Sequence, residues 1–196
     1  MKYRGRHQAR RKRRIVGILI VVAALALIAC PFVEPYLLQV ESVTLTSDDL
    51  PTDIARLKIV YLSDIHQGAF FSSNRVQNLI TQVNSLNPDI ILLGGDYANT
   101  SDEAIAFFEN APSFHARYLT AAVLGNHDRT VPESNLTKLE QVMYAAGVTP
   151  LVNSVARVKI GADYIYLAGI DDVDNGTPDL AGVAAQVGGQ AVLGRQ

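Results

Sequence analysis

The sequence predicts an α/β fold whose first part is a largely parallel sheet, and three observations carry this. Short apolar, β-branched runs recur along the chain, segments with apolar residues at helical spacing separate them, and turn-forming residues punctuate both. Leu57 to Ser63 (LKIVYLS) reads as a buried strand. Residues 72–87 follow as a helix, with Val76, Leu79, Ile80, Val83 and Leu86 on one face and a preceding serine or Asn74 as cap. Pro88 stops that helix, and DIILLGG, residues 89–95, is the second strand. Residues 101–111 (SDEAIAFFENA) carry acids in the opening turn, which suits a helix N-terminus. YLTAAVL at 118–124 is a third strand and 135–147 a third helix stopped by Gly147. TPLVN follows, and then SVARVKI and YIYLAGI flank GAD, Gly161 to Asp163, as a hairpin. After Pro178 only 179–187 reads as helical, before a glycine-rich finish, and no further strand is evident.

The N-terminus differs in kind. Eight of the 17 lysines and arginines lie within residues 1–14, and residues 15–33 carry no charge. Nineteen residues rising about 1.5 Å each just span a hydrocarbon core of roughly 30 Å. A run apolar on all sides has no face to show water, which argues against a buried core helix. The reading is a basic cytoplasmic tail (1–14), a transmembrane or signal-anchor segment (15–33), a linker with a possible edge strand (34–56) and a domain from 57 to 196. The positive flank keeps the N-terminus cytoplasmic and the domain extracytoplasmic in a single-pass arrangement. Leu27 to Cys30 (LIAC) also resembles a lipobox, so lipoprotein attachment through Cys30, or secretion after cleavage, stays open, and the arginine pairs loosely resemble a twin-arginine signal.

Beyond residue 30 the chain holds 9 basic against 19 acidic residues, so no nucleic-acid surface is expected. One cysteine excludes an internal disulfide framework and a cysteine-rich zinc site. No GxGxxG follows the first strand, which argues against dinucleotide binding.

Three strand ends carry side chains of another chemistry. The first ends in SDIH (Asp64, His66), the second in GGD (Asp96) and the third in GNHD (Asn126, His127, Asp128). Parallel strands bring their C-terminal ends to one rim, where ligands bind. Imidazole and oxygen donors without thiolate suit Mn, Fe, Zn or a similar divalent ion. Each motif alone is commonplace in a turn; their succession at three strand ends is not.

The order DxH, GD, GNHD resembles the calcineurin-like metallophosphoesterase superfamily over roughly residues 57–174. Within it, the apolar N-terminus followed by VEPYLLQVESVTL and the later LAGIDDVDNG are similar to the membrane-linked branch. That branch holds YkuE-type phosphoesterases and UDP-2,3-diacylglucosamine pyrophosphatase-like enzymes. The resemblance implies a four-layer αββα sandwich and two divalent metal ions. It further implies water attack on a phosphomonoester or phosphodiester, such as a lipid-linked or envelope substrate. Residue by residue, it implies that Asp64 and His66 hold one metal, Asp96 bridges both and Asn126 holds the second. His127 would face the phosphate and Asp128 would orient His127. Asp171 and Asp172 read either as a feature near the site or as a charged loop after the hairpin.

The family pattern continues with a later histidine and a GHxH motif, and this sequence has neither: its histidines are His7, His66, His115 and His127. His115 precedes the third strand and reads as a surface residue. The expectation is therefore a domain incomplete at its C-terminus, weak or inactive alone. The alternative is a non-catalytic, membrane-tethered binding domain that keeps one metal half-site. Oligomeric state is not legible.

Overall fold

The structure, a computed structural model, describes residues 14–25, 38–48, 50–130 and 133–193, without the side chains of 133–135 and 189–193. The chain divides into two compact units, Met1–Leu45 and Thr46–Gln196. In the first, residues 14–25 form helix α1, with every residue exposed. Among the described residues no helix is long and apolar enough to cross a membrane. The expected span at 15–33 lies only partly on them, because residues 26–33, Cys30 included, and the tail before residue 14 fall outside. Residues 38–47 carry no strand, which corrects the edge strand expected at VESVTL. Alternation makes a strand only where a neighbour takes up the backbone N–H and C=O groups, and Val43 and Leu45 instead stand 81% and 84% exposed.

The second unit carries the expected alternation. Its order is β1 (Ile59–Leu62), α2 (Ser73–Ser85), β2 (Ile90–Leu93), α3 (Ser101–Asn110), β3 (Leu119–Ala122), a 3-10 turn (His127–Arg129) and α4 (Glu133–Ala145). Then come β4 (Thr149–Pro150), β5 (Ser154–Ile160), β6 (Asp163–Gly169) and α5 (Leu180–Leu193). Strands β1-β2-β3-β4 form one sheet in sequence order, all parallel, and β5-β6 form a separate antiparallel pair. Of the two sheets expected, the second is thus a hairpin alone among the described residues. The fourth parallel strand is only two residues long and contains Pro150; proline is tolerated there because β4 sits at the sheet edge.

Register explains the core. Val60 pairs with Ile91, Leu62 with Leu93, and Leu93 with Ala122, so these side chains share one face. That face packs on Val76, Ile80 and Val83 of α2, Ile105, Phe107 and Phe108 of α3, and Leu139 and Met143 of α4. β2, apolar on both faces, and its inner neighbour β3 are each buried at three of four residues. Tyr97, Phe107 and Phe108 form an aromatic cluster with centroids 4.7–5.8 Å apart. Burial holds the Tyr97 phenol well above its usual pKa, so its hydroxyl stays a donor, to the carbonyl of Val123 at 2.6 Å.

The helix ends follow local chemistry. Thr100 caps α3 by accepting the Glu103 N–H, and Glu103 in turn accepts the Asn99 N–H. Ser72 occupies the N-cap of α2 without a side-chain cap bond. Gly147 at φ +77° turns the chain out of α4. The hairpin turn is Gly161–Ala162, with Asp163 already in β6; Asp53 accepts the Ala162 N–H and fills the space a side chain at Gly161 would need. α5 packs on the hairpin and extends past the 179–187 expected for it.

Candidate metal centre

The parallel strands β1, β2 and β3 all end at one rim, and the expected residues follow them. Pairing continues beyond the strands: Asp64 N–H donates to Gly95 O, His66 N–H to Asp96 O and Gln67 N–H to Tyr97 O, at 2.9–3.1 Å. The segment after β1 therefore runs beside the segment after β2. It does so with an unusual backbone. Asp64 (φ +55°), His66 (+45°) and Asp96 (+55°) are all left-handed, a region that costs ordinary residues energy and that active sites often retain. From these positions the His66 side chain approaches those of Asp64 and Asp96.

His66, Asp96 and His127 offer donor atoms that lie within 4.8 Å of one another, a grouping able to hold a metal ion. His66 Nε2 stands 3.7 Å from Asp96 Oδ2 and 3.9 Å from Asp64 Oδ1. Asp64 is more exposed and accepts the Ser63 hydroxyl on its other oxygen at 2.6 Å. The rings of His66 and His127 meet edge to face, 4.9 Å between centroids. Asp96 does two jobs, because Oδ1 accepts the His127 backbone N–H at 3.0 Å while Oδ2 faces His66. Asn126 is half-buried and opens the 3-10 turn that carries His127. His115 is exposed before β3, as its place in the sequence implies.

His127 Nδ1 lies 3.1 Å from the carbonyl oxygen of Asn99. A carbonyl only accepts, so Nδ1 carries the proton in the neutral ring and Nε2 is left to face a ligand. This corrects the role expected for Asp128. Its carboxylate is buried and accepts the N–H groups of Asp96 (2.8 Å), Tyr97 (3.2 Å) and Gly125 (2.9 Å), rather than the His127 ring. Those amides sit where the chain leaves β2 and β3 and have no ladder partner, so the carboxylate serves as their acceptor and joins the two rim segments. Burial pushes its pKa up to about 6, against the three N–H donors that lower it, so it is mainly ionised at neutral pH. The same turn is held from α3, where Ser101 Oγ donates to Asp128 O and accepts the Thr130 N–H.

Two glycines make the approach possible. A Cβ on Gly95, which is at φ +96°, would collide with the backbone of Gly125, and one on Gly125 would overlap the Asp96 carboxylate. Gly125→Ala is therefore expected to displace Asp96, costing about 1–3 kcal/mol of stability as other overpacking changes do. It should also weaken Mn²⁺ binding; urea denaturation and titration calorimetry would check both.

Sequence reasoning did not single out Asn99, Ser101 or Arg129. Asn99 acts through its backbone carbonyl, which no residue type signals. Arg129 did stand next to GNHD as a charged residue in a tight turn.

The residues matched by the family model for calcineurin-like phosphoesterases are 57–182. The chain is 29% identical over 168 residues to a "Transmembrane protein with metallophosphoesterase domain" of Danio rerio, covering 83% of this chain and 37% of that protein. It is 25% identical over 187 residues to the metallophosphoesterase YkuE of Bacillus subtilis, covering 90% and 65%. It is 30% identical over 128 residues to the phosphodiesterase YaeI of Escherichia coli, covering 61% and 45%. The chain thus spans less than two thirds of the length of each of these relatives.

Proposed function

This chain belongs to the calcineurin-like phosphoesterase family, and from that premise we propose that it is a metal-dependent phosphoester hydrolase using water as the attacking group. The observation that carries the reading is the convergence of His66, Asp96 and His127 donors within 4.8 Å at the strand rim. Within that group the His66 imidazole and the Asp96 carboxylate suit a divalent ion of the Mn, Fe or Zn kind, and His127 stands close enough to face a phosphate held there. We assign Asp64 and His66 to one ion, Asp96 to both and Asn126 to the second. Bound ions would supply charge neutralisation at the phosphoryl oxygens and activation of water. The chain's own residues do the rest. Asp96 orients the GNHD turn through the His127 amide, and His127, with Nδ1 committed to Asn99, presents Nε2 to the leaving group or the developing charge.

The substrate class is a phosphodiester or phosphomonoester. Membrane anchoring through residues 15–33, with the domain extracytoplasmic, is supported by the uncharged run behind eight basic residues and by the transmembrane proteins among the relatives. A lipid-linked or envelope phosphoester fits that placement, as does kinship with the YkuE-type branch, and the four-layer sandwich belongs to the same reading.

The test is Mn²⁺ titration of the full 196-residue chain by calorimetry, alongside hydrolysis of bis(p-nitrophenyl) phosphate with and without EDTA. Ion binding and EDTA-sensitive turnover are expected, the turnover weak. A chain that binds no Mn²⁺ and shows no metal-dependent turnover would overturn the reading. One observation favours a second reading, a tethered binding domain with one metal half-site. Among the described residues only two imidazoles, His66 and His127, stand at the rim. One tightly bound ion without turnover would select it.

His127→Ala separates two roles for that ring. As the group facing phosphate, its loss should lower turnover by about 10²–10⁴-fold, the usual contribution of a positioned acid, with little change in Mn²⁺ affinity. A collapse of Mn²⁺ affinity would make His127 a ligand instead.

A further inference from the structure

Asn126 and His127 sit at the start of a three-residue 3-10 turn, where Arg129 N–H reaches Asn126 O at a long 3.3 Å. A turn that short does not set its own orientation. Asp128 and Ser101 hold its inner side, as described. Its outer side meets the loop after β6, residues 170–177. There Asn175 Nδ2 donates to the carbonyl of Asn126 at 3.0 Å. Arg129, the last residue of the turn, places Nε 2.6 Å from Asp171 Oδ1, with the two side chains 12% and 1% exposed. Nε has no aligned hydrogen bond, so this is a charge contact in a nearly closed space.

The loop is built around that contact. Asp171 accepts the Asp172 N–H (2.8 Å) and the Thr177 N–H (2.9 Å), while Asn153 accepts the N–H groups of Asp171 (3.1 Å) and Asp179 (2.9 Å). Asp172 Oδ1 accepts the Asn175 N–H at 2.6 Å, which fixes the base of the side chain that reaches Asn126. A side chain at Gly176 would run into the Asp171 carboxylate. Removing one partner of a buried pair strands the other charge, so breaking this contact is destabilising.

We propose that Arg129, Asp171 and Asn175 are positioning residues: they clamp the GNHD turn from outside and set where Asn126 and His127 present their side chains. The functional consequence rests on the phosphoesterase reading; the clamp itself does not.

The experiment uses the full chain as wild type, Asn175→Ala and Asp171→Asn. It measures Mn²⁺ affinity, thermal midpoint, and amide exchange of residues 125–127 in metal-free protein. Asn175 is exposed, so Asn175→Ala should keep the wild-type midpoint while Mn²⁺ affinity falls about 10-fold, the low end for groups that orient ligands. Asp171→Asn should weaken Mn²⁺ at least as much and lower the midpoint. In both, exchange at 125–127 should rise severalfold relative to β2. Mn²⁺ affinity within twofold of wild type in both variants, with unchanged local exchange, would overturn the proposal, even if Asp171→Asn lowered the midpoint. A wild-type chain that binds no Mn²⁺ would sink the phosphoesterase reading and leave the clamp to be decided by the exchange data.

Discussion

Asp96→Asn is expected to lower Mn²⁺ affinity by more than about 100-fold, because changes to groups that merely orient ligands already cost 10–100-fold. Phosphoester turnover should fall with it. The fold should survive. Asn tolerates the left-handed backbone at φ +55° at least as well as Asp, and its amide oxygen can still accept the His127 N–H that Oδ1 accepts now. What changes is the other atom, where an NH₂ replaces the oxygen 3.7 Å from His66 Nε2 and the negative charge is gone. Calorimetric titration with Mn²⁺, beside a thermal melt, checks the pairing of lost binding with retained structure. Wild-type affinity in Asp96→Asn would remove Asp96 from the centre. Asp96→Ala is a poorer probe, since it also strands an amide and puts a less tolerant residue in the left-handed region.

The largest stability effect is expected at Asp128. Alanine there leaves the buried amides of Asp96 and Tyr97, and the part-buried amide of Gly125, without their acceptor. Each unsatisfied buried group costs about 1–3 kcal/mol, so Asp128→Ala should lose about 3 kcal/mol or more. Asp128→Asn should lose less. Oδ2 alone takes both the Asp96 and Gly125 bonds, and an amide oxygen in its place can keep them while the NH₂ opposes only the Tyr97 N–H. Chemical denaturation of the three proteins gives the order wild type, Asn, Ala. A loss within 1 kcal/mol for Asp128→Ala would mean that the amides find water, and that the rim is looser than these contacts imply.

Much of this site was legible because its motifs sit directly behind buried apolar runs. SDIH, GGD and GNHD each follow a strand, and a parallel sheet leaves only one rim for all three. The helices were legible through apolar spacing in α2 and acids in the first turn of α3. What was not legible depends on backbone atoms or on long separations. The amides that Asp128 serves at Asp96 and Tyr97 lie 32 and 31 residues earlier, and an amide looks the same in every residue. The left-handed turns fall on Asp64, His66 and Asp96, where glycine would have announced them. β4, two residues with a proline, falls below any periodic signal. α5 runs through Gly188 and Gly189, which propensity reads as a stop at roughly 1 kcal/mol each relative to alanine. Arg129 reads as an ordinary surface charge, and Asp171 as either a feature near the site or a charged loop, until the hairpin brings the two together.

The acceptor that sets the His127 tautomer is the main-chain carbonyl of Asn99. Every amino acid supplies that oxygen, so no single codon change at position 99 can remove it. A triad in which a side chain performs this task can be switched off by one substitution. Here the protonation pattern of the ring is insulated from mutation at its partner, and selection at residue 99 is left free to act on whatever its side chain meets.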